Sequence, residues 1–375
     1  MARELARLHM WNAEYAEAEA WVETGREHAR GSDDPTCRAA EALLHIQAAS
    51  ICFNRGAYDE AIVHCQNGLS IAQQHDDEEA IAEGHLILGV IMRSSGKYDD
   101  SLSHYNIGLA IYERQQNLYQ IFRTRMNIGL ALFHQGDWPQ ALEHYEAVMA
   151  FWQQVGEENL LAGVYINSGL AEEYLGNLEQ ALDYFNRALR ICQQIGNPGW
   201  TARAHGNLGT LYRLMEAWDL AESHLQHGLE ILQDHAIEAF RSDIYAELAL
   251  VRLGKGELAA ALEFGGQALK LAQTANTQLE HAVALRNLGR VHLASQDISP
   301  ALAHLRHSHQ ILDAIGEQYE LARTLHYLAA ALEYSGEVAE ALQHCVTAIT
   351  VFQSLNAKKD LEQVKFYHDR LMDIS

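Results

Sequence analysis

Apolar residues recur along this chain at helical spacing, and polar punctuation interrupts them at a fixed interval. From Asn127 to Leu142 the chain reads NIGLALFHQGDWPQAL, an apolar stripe, a Gly-Asp turn and a second apolar stripe. The turn phrase returns at Gly96-Lys-Tyr-Asp-Asp-Ser-Leu, Gly136-Asp-Trp-Pro-Gln-Ala-Leu, Gly176-Asn-Leu-Glu-Gln-Ala-Leu, Gly256-Glu-Leu-Ala-Ala-Ala-Leu and Gly336-Glu-Val-Ala-Glu-Ala-Leu, with degenerate copies at Glu216 and Gln296. Every step from Gly56 to Gly336 is 40 residues, and a worn copy at Ala13 lies 43 residues before the first. Repetition at this period predicts a stack of helix–turn–helix units, each burying its apolar face against its neighbours.

Residues 1–31 read as a worn, shortened first unit, residues 36–356 as eight full units, and residues 357–375 as a capping helix. The whole of 1–375 is expected to form one elongated all-α domain of nine helix pairs plus the cap. In the cap, Leu361, Val364, Tyr367 and Leu371 share one face, with Lys358, Lys359, Glu362, Lys365, Asp369 and Arg370 elsewhere. The cluster Gly31-Ser-Asp-Asp-Pro35 supplies a turn and an Asx N-cap. Proline checks the register, because it lacks an N–H and is tolerated only in the first turn of a helix. Pro35 and Pro198 fall where first helices begin, and Pro139 and Pro300 where second helices begin.

Two columns of small residues account for the packing. Seven residues before each turn stand Ala6, Ala49, Gly89, Gly129, Gly169, Gly209, Ala249, Gly289 and Ala329; five after it stand Ala18, Ala61, Ser101, Ala141, Ala181, Ala221, Ala261, Ala301 and Ala341. Glycine inside a helix costs about 1 kcal/mol relative to alanine, so its recurrence in one column points to close helix approach. Leu88, Ile128, Leu208, Leu248, Leu288 and Leu328 fill the space beside it.

Composition narrows the function. With 48% hydrophobic and 21% charged residues the chain can bury a continuous core. Its 27 basic against 50 acidic residues give a net charge of -23, which disfavours nucleic acid and anionic membranes as partners. No segment reaches the roughly 20 apolar residues of a membrane span. Five cysteines without a CxxC pair suit a reducing cytoplasm.

These residues resemble the tetratricopeptide repeat, in which a small residue in the first helix and an alanine in the second let antiparallel pairs close up. The resemblance implies a right-handed α-α superhelix over essentially the whole chain. The longer period, with phrases such as Ile191-Cys-Gln-Gln-Ile-Gly-Asn and Ile311-Leu-Asp-Ala-Ile-Gly-Glu, is similar to the sensor arms of bacterial signal-transduction ATPases of the maltose-regulon-activator type. Kinesin light chain and the Leu-Gly-Asn spindle-orientation proteins carry similar long repeats.

Catalytic motifs such as HExxH and GxSxG do not occur, and no cofactor is expected. His64, His104, His144, His224, His304 and His344 form a column, but neighbouring members are a full repeat apart, roughly 10 Å, too far to share an ion whose ligands lie about 2 Å away. Gly265-Gly266 reads as close packing or as a flex point. The informative column lies nine residues before the turn: Asn127, Asn167, Asn207 and Asn287. The resemblance places such an Asn on the concave groove, where a carboxamide can give and accept hydrogen bonds with a peptide backbone; the alternative is an Asn that ties helix to helix. Arg123, Arg203, Arg213, Arg286, Arg290 and Arg323 occupy other groove-facing positions and suit acidic side chains or a free C-terminus. Asp243 and Glu247 are expected to break this line into two sub-sites. The leading reading is a non-catalytic protein- or peptide-binding scaffold, the ligand-sensing or partner-binding arm of a larger signalling ATPase. A stand-alone adaptor is the alternative, and a metal-dependent hydrolase a third reading from another class.

Overall fold

A computed structural model describes residues 2–11, 14–30, 34–233, 238–275 and 277–374. Among them the chain is all-α, with nineteen helices and no strand. It divides into two compact units, Met1–Gln135 with Glu143–Val148, and Gly136–Leu142 with Met149–Ser375. The first holds α1 (Ala2–Trp11), α2 (Tyr15–Ala29), α3 (Pro35–Asn54), α4 (Tyr58–Gln74), α5 (Glu78–Ser94), α6 (Tyr98–Arg114) and α7 (Leu118–Gln135), and α8 (Trp138–Val155) contributes to both. The second continues with α9 (Glu158–Leu175), α10 (Leu178–Gln194), α11 (Pro198–Leu214), α12 (Trp218–Ile231) and α13 (Glu238–Gly254). It ends with α14 (Leu258–Ala275), α15 (Gln278–Ala294), α16 (Ile298–Ile315), α17 (Gln318–Ser335), α18 (Val338–Ser354) and the cap α19 (Lys358–Ile374).

The helices start and stop where local chemistry requires it. Pro35 and Pro198 open α3 and α11, and Pro139 lies in the first turn of α8. Asp34, Asp77, Asp137 and Asn197 accept hydrogen bonds from the orphan N–H groups of the helices they precede. The worn turn at Ala13 lies outside the described residues. The turn glycines Gly56, Gly96, Gly136, Gly176, Gly256 and Gly336 are left-handed, and so are the degenerate positions Glu216 (φ 58°) and Gln296 (φ 60°). The same conformation appears 20 residues after a turn at Asp76, Gln116, Gly156, Gly196, Gly316 and Asn356. From Gly56 onward the backbone punctuation therefore recurs at 20-residue steps among the described residues, twice as often as the sequence phrase.

The small column interlocks with a column on the second helix that sequence inspection did not single out. An added Cβ at Gly129 would lie 2.6 Å from the Tyr145 ring, at Gly169 2.5 Å from Phe185, at Gly209 2.5 Å from Leu225, and at Gly289 2.7 Å from Leu305. Where the first helix carries alanine instead, at Ala49, Ala249 and Ala329, the second carries Cys65, Gly265 and Cys345. Knob and hole thus vary together. Gly265 is a packing residue, since its Cβ would meet Leu288 at 2.9 Å, whereas Gly266 faces open space.

In the second unit the first helices α9, α11, α13, α15 and α17, followed by α19, contact one another in order and form an inner layer. This layer curls until its ends meet. Trp138 packs edge-on against Tyr319 (ring centroids 5.3 Å) and Tyr174 (5.2 Å), Tyr174 lies 4.5 Å from Tyr319, and Leu355 covers Gly136. The cap buries Val364 and Leu371, each 0% exposed, but leaves Phe366 77% and Met372 56% exposed. Its outer face is less polar than the charge pattern suggested.

Candidate functional site

The sequence-predicted residues fall into two groups. In the first unit, Asn127 and Arg123 lie one turn apart on α7, half-buried, and each finds a partner on its own helix. The Asn127 amide donates to the Arg123 carbonyl oxygen at 3.1 Å, and the Arg123 guanidinium donates to Gln120 Oε1 at 3.4 Å. The second unit brings together Arg203, Arg213, Arg286, Arg290 and Arg323 with Asn167, Asn207 and Asn287 on its inner layer. Asn167 is half-buried. Asn207 keeps its buried Nδ2 unbonded, and Asn287, 1% exposed, has neither amide atom bonded. A buried polar atom without a partner costs about 1–3 kcal/mol, so these atoms mark where a ligand could supply the missing half.

The arginines differ in what holds them. Arg213 is paired with Glu247 across α11 and α13, and Arg286 with Glu320 across α15 and α17. Arg323 also reaches Glu320, at 3.2 Å, and lies 5.6 Å from the Tyr319 ring centre. Arg203 is solvent-exposed with its guanidinium 5.6 Å from the Phe240 ring centre. Arg290 stacks over Tyr327 at 4.3 Å. The interruption expected at Asp243 and Glu247 takes the form of an ion pair, because Glu247 reaches back to Arg213 rather than leaving a gap.

The carboxyl groups complete the electrostatics. Glu320 is held down to about 2; burial alone would raise it, but Arg286 and Arg323 outweigh that. Burial, then the neighbouring Glu247, lifts Glu173 to about 7 against the pull of Arg213 and Arg323, and its buried Oε2 has no partner. Asp243 is lifted to about 8 by desolvation and by Glu280, with Arg203 opposing. The Asp243 residue itself is exposed. Between the neighbouring helices α17 and α19, Tyr319 donates its hydroxyl to Asp360 at 3.0 Å and Tyr367 to Glu333 at 2.6 Å.

Sequence reasoning missed Glu280 and Glu320, sixteen residues before their turns, and the aromatic residues Trp138, Tyr174, Tyr319 and Tyr327. Both principal ion pairs join residues 34 apart, Arg213 to Glu247 and Arg286 to Glu320. That spacing is one repeat less six residues, and it was the available signal. The histidine column also has a partner column. His64 meets His45 (Nδ1–Nδ1 3.4 Å), His104 meets His85 (2.9 Å) and His224 meets His205 (3.1 Å). Each pair can share one proton, and burial lowers the pKa of all six imidazoles. Among the described residues no group of three or more His, Cys, Asp or Glu could hold a metal ion, and no helix is long and apolar enough to cross a membrane.

Known proteins give the fold its context. The chain is similar to RapI in its apo form, with 12% identity over 95% of this chain and 98% of that one and a TM-score of 0.70. It is also similar to the Rap conjugation gene regulator of plasmid pLS20 in complex with the Phr* peptide, with 13% identity, 89% and 93% coverage and a TM-score of 0.63. A third likeness is to a signal transduction ATPase with a tetratricopeptide repeat sensor from Pyrococcus horikoshii, with 12% identity, a TM-score of 0.55, and coverage of 88% of this chain but 52% of that one. At these identities the likeness is one of fold. No curated protein sequence matches the chain. The tetratricopeptide repeat family model matches residues 120–194, 160–234 and 240–314, together just over half of the length, and the chain belongs to the tetratricopeptide repeat family.

Proposed function

We propose that this protein is a non-catalytic scaffold that senses a peptide, or a peptide segment of a partner protein, on the inner layer of its second unit. The observation that carries the reading is the set of buried, unbonded amide atoms of Asn207 and Asn287. They are the donor and acceptor groups that a peptide backbone satisfies without regard to its side chains. Glu173 and Asn207 stand at the same 34-residue separation as the two ion pairs, yet Glu173 Oε2 and Asn207 Nδ2 are both unbonded, which leaves an acceptor and a donor for a third party. The similarity to a Rap regulator that is solved with the Phr* peptide supports a peptide as ligand.

A second reading concerns context rather than ligand. The Pyrococcus horikoshii protein uses a similar array as the sensor of a signalling ATPase, and this chain would serve as such an arm; a stand-alone adaptor would present the same inner face. The binding reading is tested by passing random octapeptides over the immobilised full chain and titrating retained sequences by calorimetry. Asn207→Ala and Asn287→Ala are expected to weaken binding by about 1–3 kcal/mol each while circular dichroism remains unchanged. Retained peptides that bind both variants as tightly as the parent protein would move the site to the outer helices.

A further inference from the structure

Of the five arginines on this inner layer, Arg203 is exposed, and three have a carboxylate partner in the protein, Arg213 in Glu247 and both Arg286 and Arg323 in Glu320. Arg290 has none. Its guanidinium rests on the Tyr327 ring, its Nη1 is buried without an acceptor, and the charges that act on it most strongly, apart from the Tyr327 phenol, are those of Arg213, Arg323 and Arg286. Burial, then those like charges, brings it down to about 10, so it is still a cation at neutral pH. The repeat's own pairing geometry explains the vacancy. The residue 34 positions beyond Arg290 is Thr324, whose hydroxyl already donates to the Glu320 carbonyl oxygen at 2.9 Å. Within the same turn of α15, Asn287 has both amide atoms unbonded and Arg286 has its Nε unbonded. One helical turn therefore carries three polar side chains with unbonded donors; those atoms are buried, and Arg290, partly exposed as a residue, is where the turn opens to solvent.

We propose that the Arg286–Arg290 turn of α15, floored by Tyr327, is a seat for one oxyanion group, a carboxylate or a phosphoryl, carried by the peptide ligand. This inference rests on the peptide-binding reading above. A guanidinium fork matches the paired oxygens of either group, and charge-assisted hydrogen bonds of this kind are about twice as strong as neutral ones. Arg213 and Arg323 cannot do the same work, because an incoming anion would have to displace Glu247 or Glu320. Asn287, 1% exposed, adds an unbonded neutral amide beside the charge.

The test uses the full chain, its Arg290→Met and Arg290→Lys variants, and two octapeptide libraries, one unmodified and one with a single phosphoserine. The unmodified pool retained by the parent protein is expected to be enriched in Asp and Glu if the seat takes a carboxylate, and the phosphoserine pool to be preferred if it takes a phosphoryl. Either result supports the seat, provided that Arg290→Met weakens the selected peptides about ten-fold or more and Arg290→Lys, which keeps the charge but not the fork, falls between. Inorganic phosphate should raise the melting midpoint of the parent and leave Arg290→Met unmoved. Peptides retained without preference for negative charge, or bound equally by Arg290→Met, would overturn the seat and leave peptide binding standing. If the parent retains no peptide at all the proposed function falls, and a phosphate shift shared by parent and Arg290→Met would then overturn the seat as well.

Discussion

Asn127 and Asn287 occupy the same place in the repeat, nine residues before the turn, and their environments differ. In the first unit the Asn127 amide is answered by a carbonyl of its own helix. In the second, Asn287 is 1% exposed and answered by nothing. One ion pair from each unit shows the same contrast: Arg3 and Glu83 of the first are 25% and 26% exposed, whereas Arg286 and Glu320 of the second are 3% and 12% exposed. A repeat position fixes where a side chain points. What it does there is decided by its neighbours one repeat on, so the two units share a scaffold without sharing a site.

The largest test of this contrast is energetic. Glu320→Gln removes the carboxylate from a nearly sealed pair and should cost about 3–5 kcal/mol, because Arg286 is left charged and uncompensated. Arg3→Gln should cost no more than about 1 kcal/mol, since water can take over from the missing partner. Denaturant midpoints of the two variants check this, and equal losses would erase the distinction. Overpacking serves as the control that the units should share. Gly129→Leu in the first unit and Gly169→Leu in the second each drive a side chain into an aromatic ring, at a cost on the order of 1–3 kcal/mol or more; Ala181→Leu belongs to the same class. Melts unchanged by these substitutions would mean that the interlocking columns do not carry the stacking.

Smaller effects sharpen the comparison. Asn127→Ala should change peptide affinity by less than about 0.5 kcal/mol, in contrast to the loss expected at Asn287, and a matching loss would show that the first unit also touches ligand. Acid should also separate the units. Burial, with Arg26, lowers His45 to about 4, so its contribution is full above its ordinary value of 6.5 and is lost as pH falls towards 4. Glu173 runs the other way: raised to about 7, it contributes fully below its ordinary value of 4.5, and the contribution is lost as pH rises through 7. Hydrogen exchange at pH 7 and pH 5, corrected for intrinsic rates, should show protection falling in α3–α4 and holding or rising in α9.

The helix pairs, their boundaries and both small columns were legible because local signals carry them: a turn residue, a proline, an alanine where two backbones approach. The left-handed residues at Asp76, Gln116 and Asn356 were not, because non-glycine residues adopt that conformation without advertising it. Arg213 and Arg286 looked available as ligand contacts because their partners lie on the next first helix, where only a 34-residue spacing reveals them. Tyr174 and Tyr319 meet across the curl of the second unit, a consequence of accumulated rotation over several repeats that no single repeat encodes. Arg290 was named from its repeat position, but its isolation from any carboxylate is a property of the assembled layer.

The paired columns have a consequence for how such a chain can change over time. Each knob and its hole belong to one repeat, sixteen residues apart: Gly129 with Tyr145, Gly169 with Phe185, Ala49 with Cys65. A duplication or deletion that moves a whole repeat carries both halves of the fit with it, and leaves every other fit intact. A crossover between the two helices of a repeat can instead set Tyr145 opposite an alanine, or Cys65 opposite a glycine. These fits therefore tolerate a change of length in whole repeats, whereas a break within a repeat creates a steric misfit.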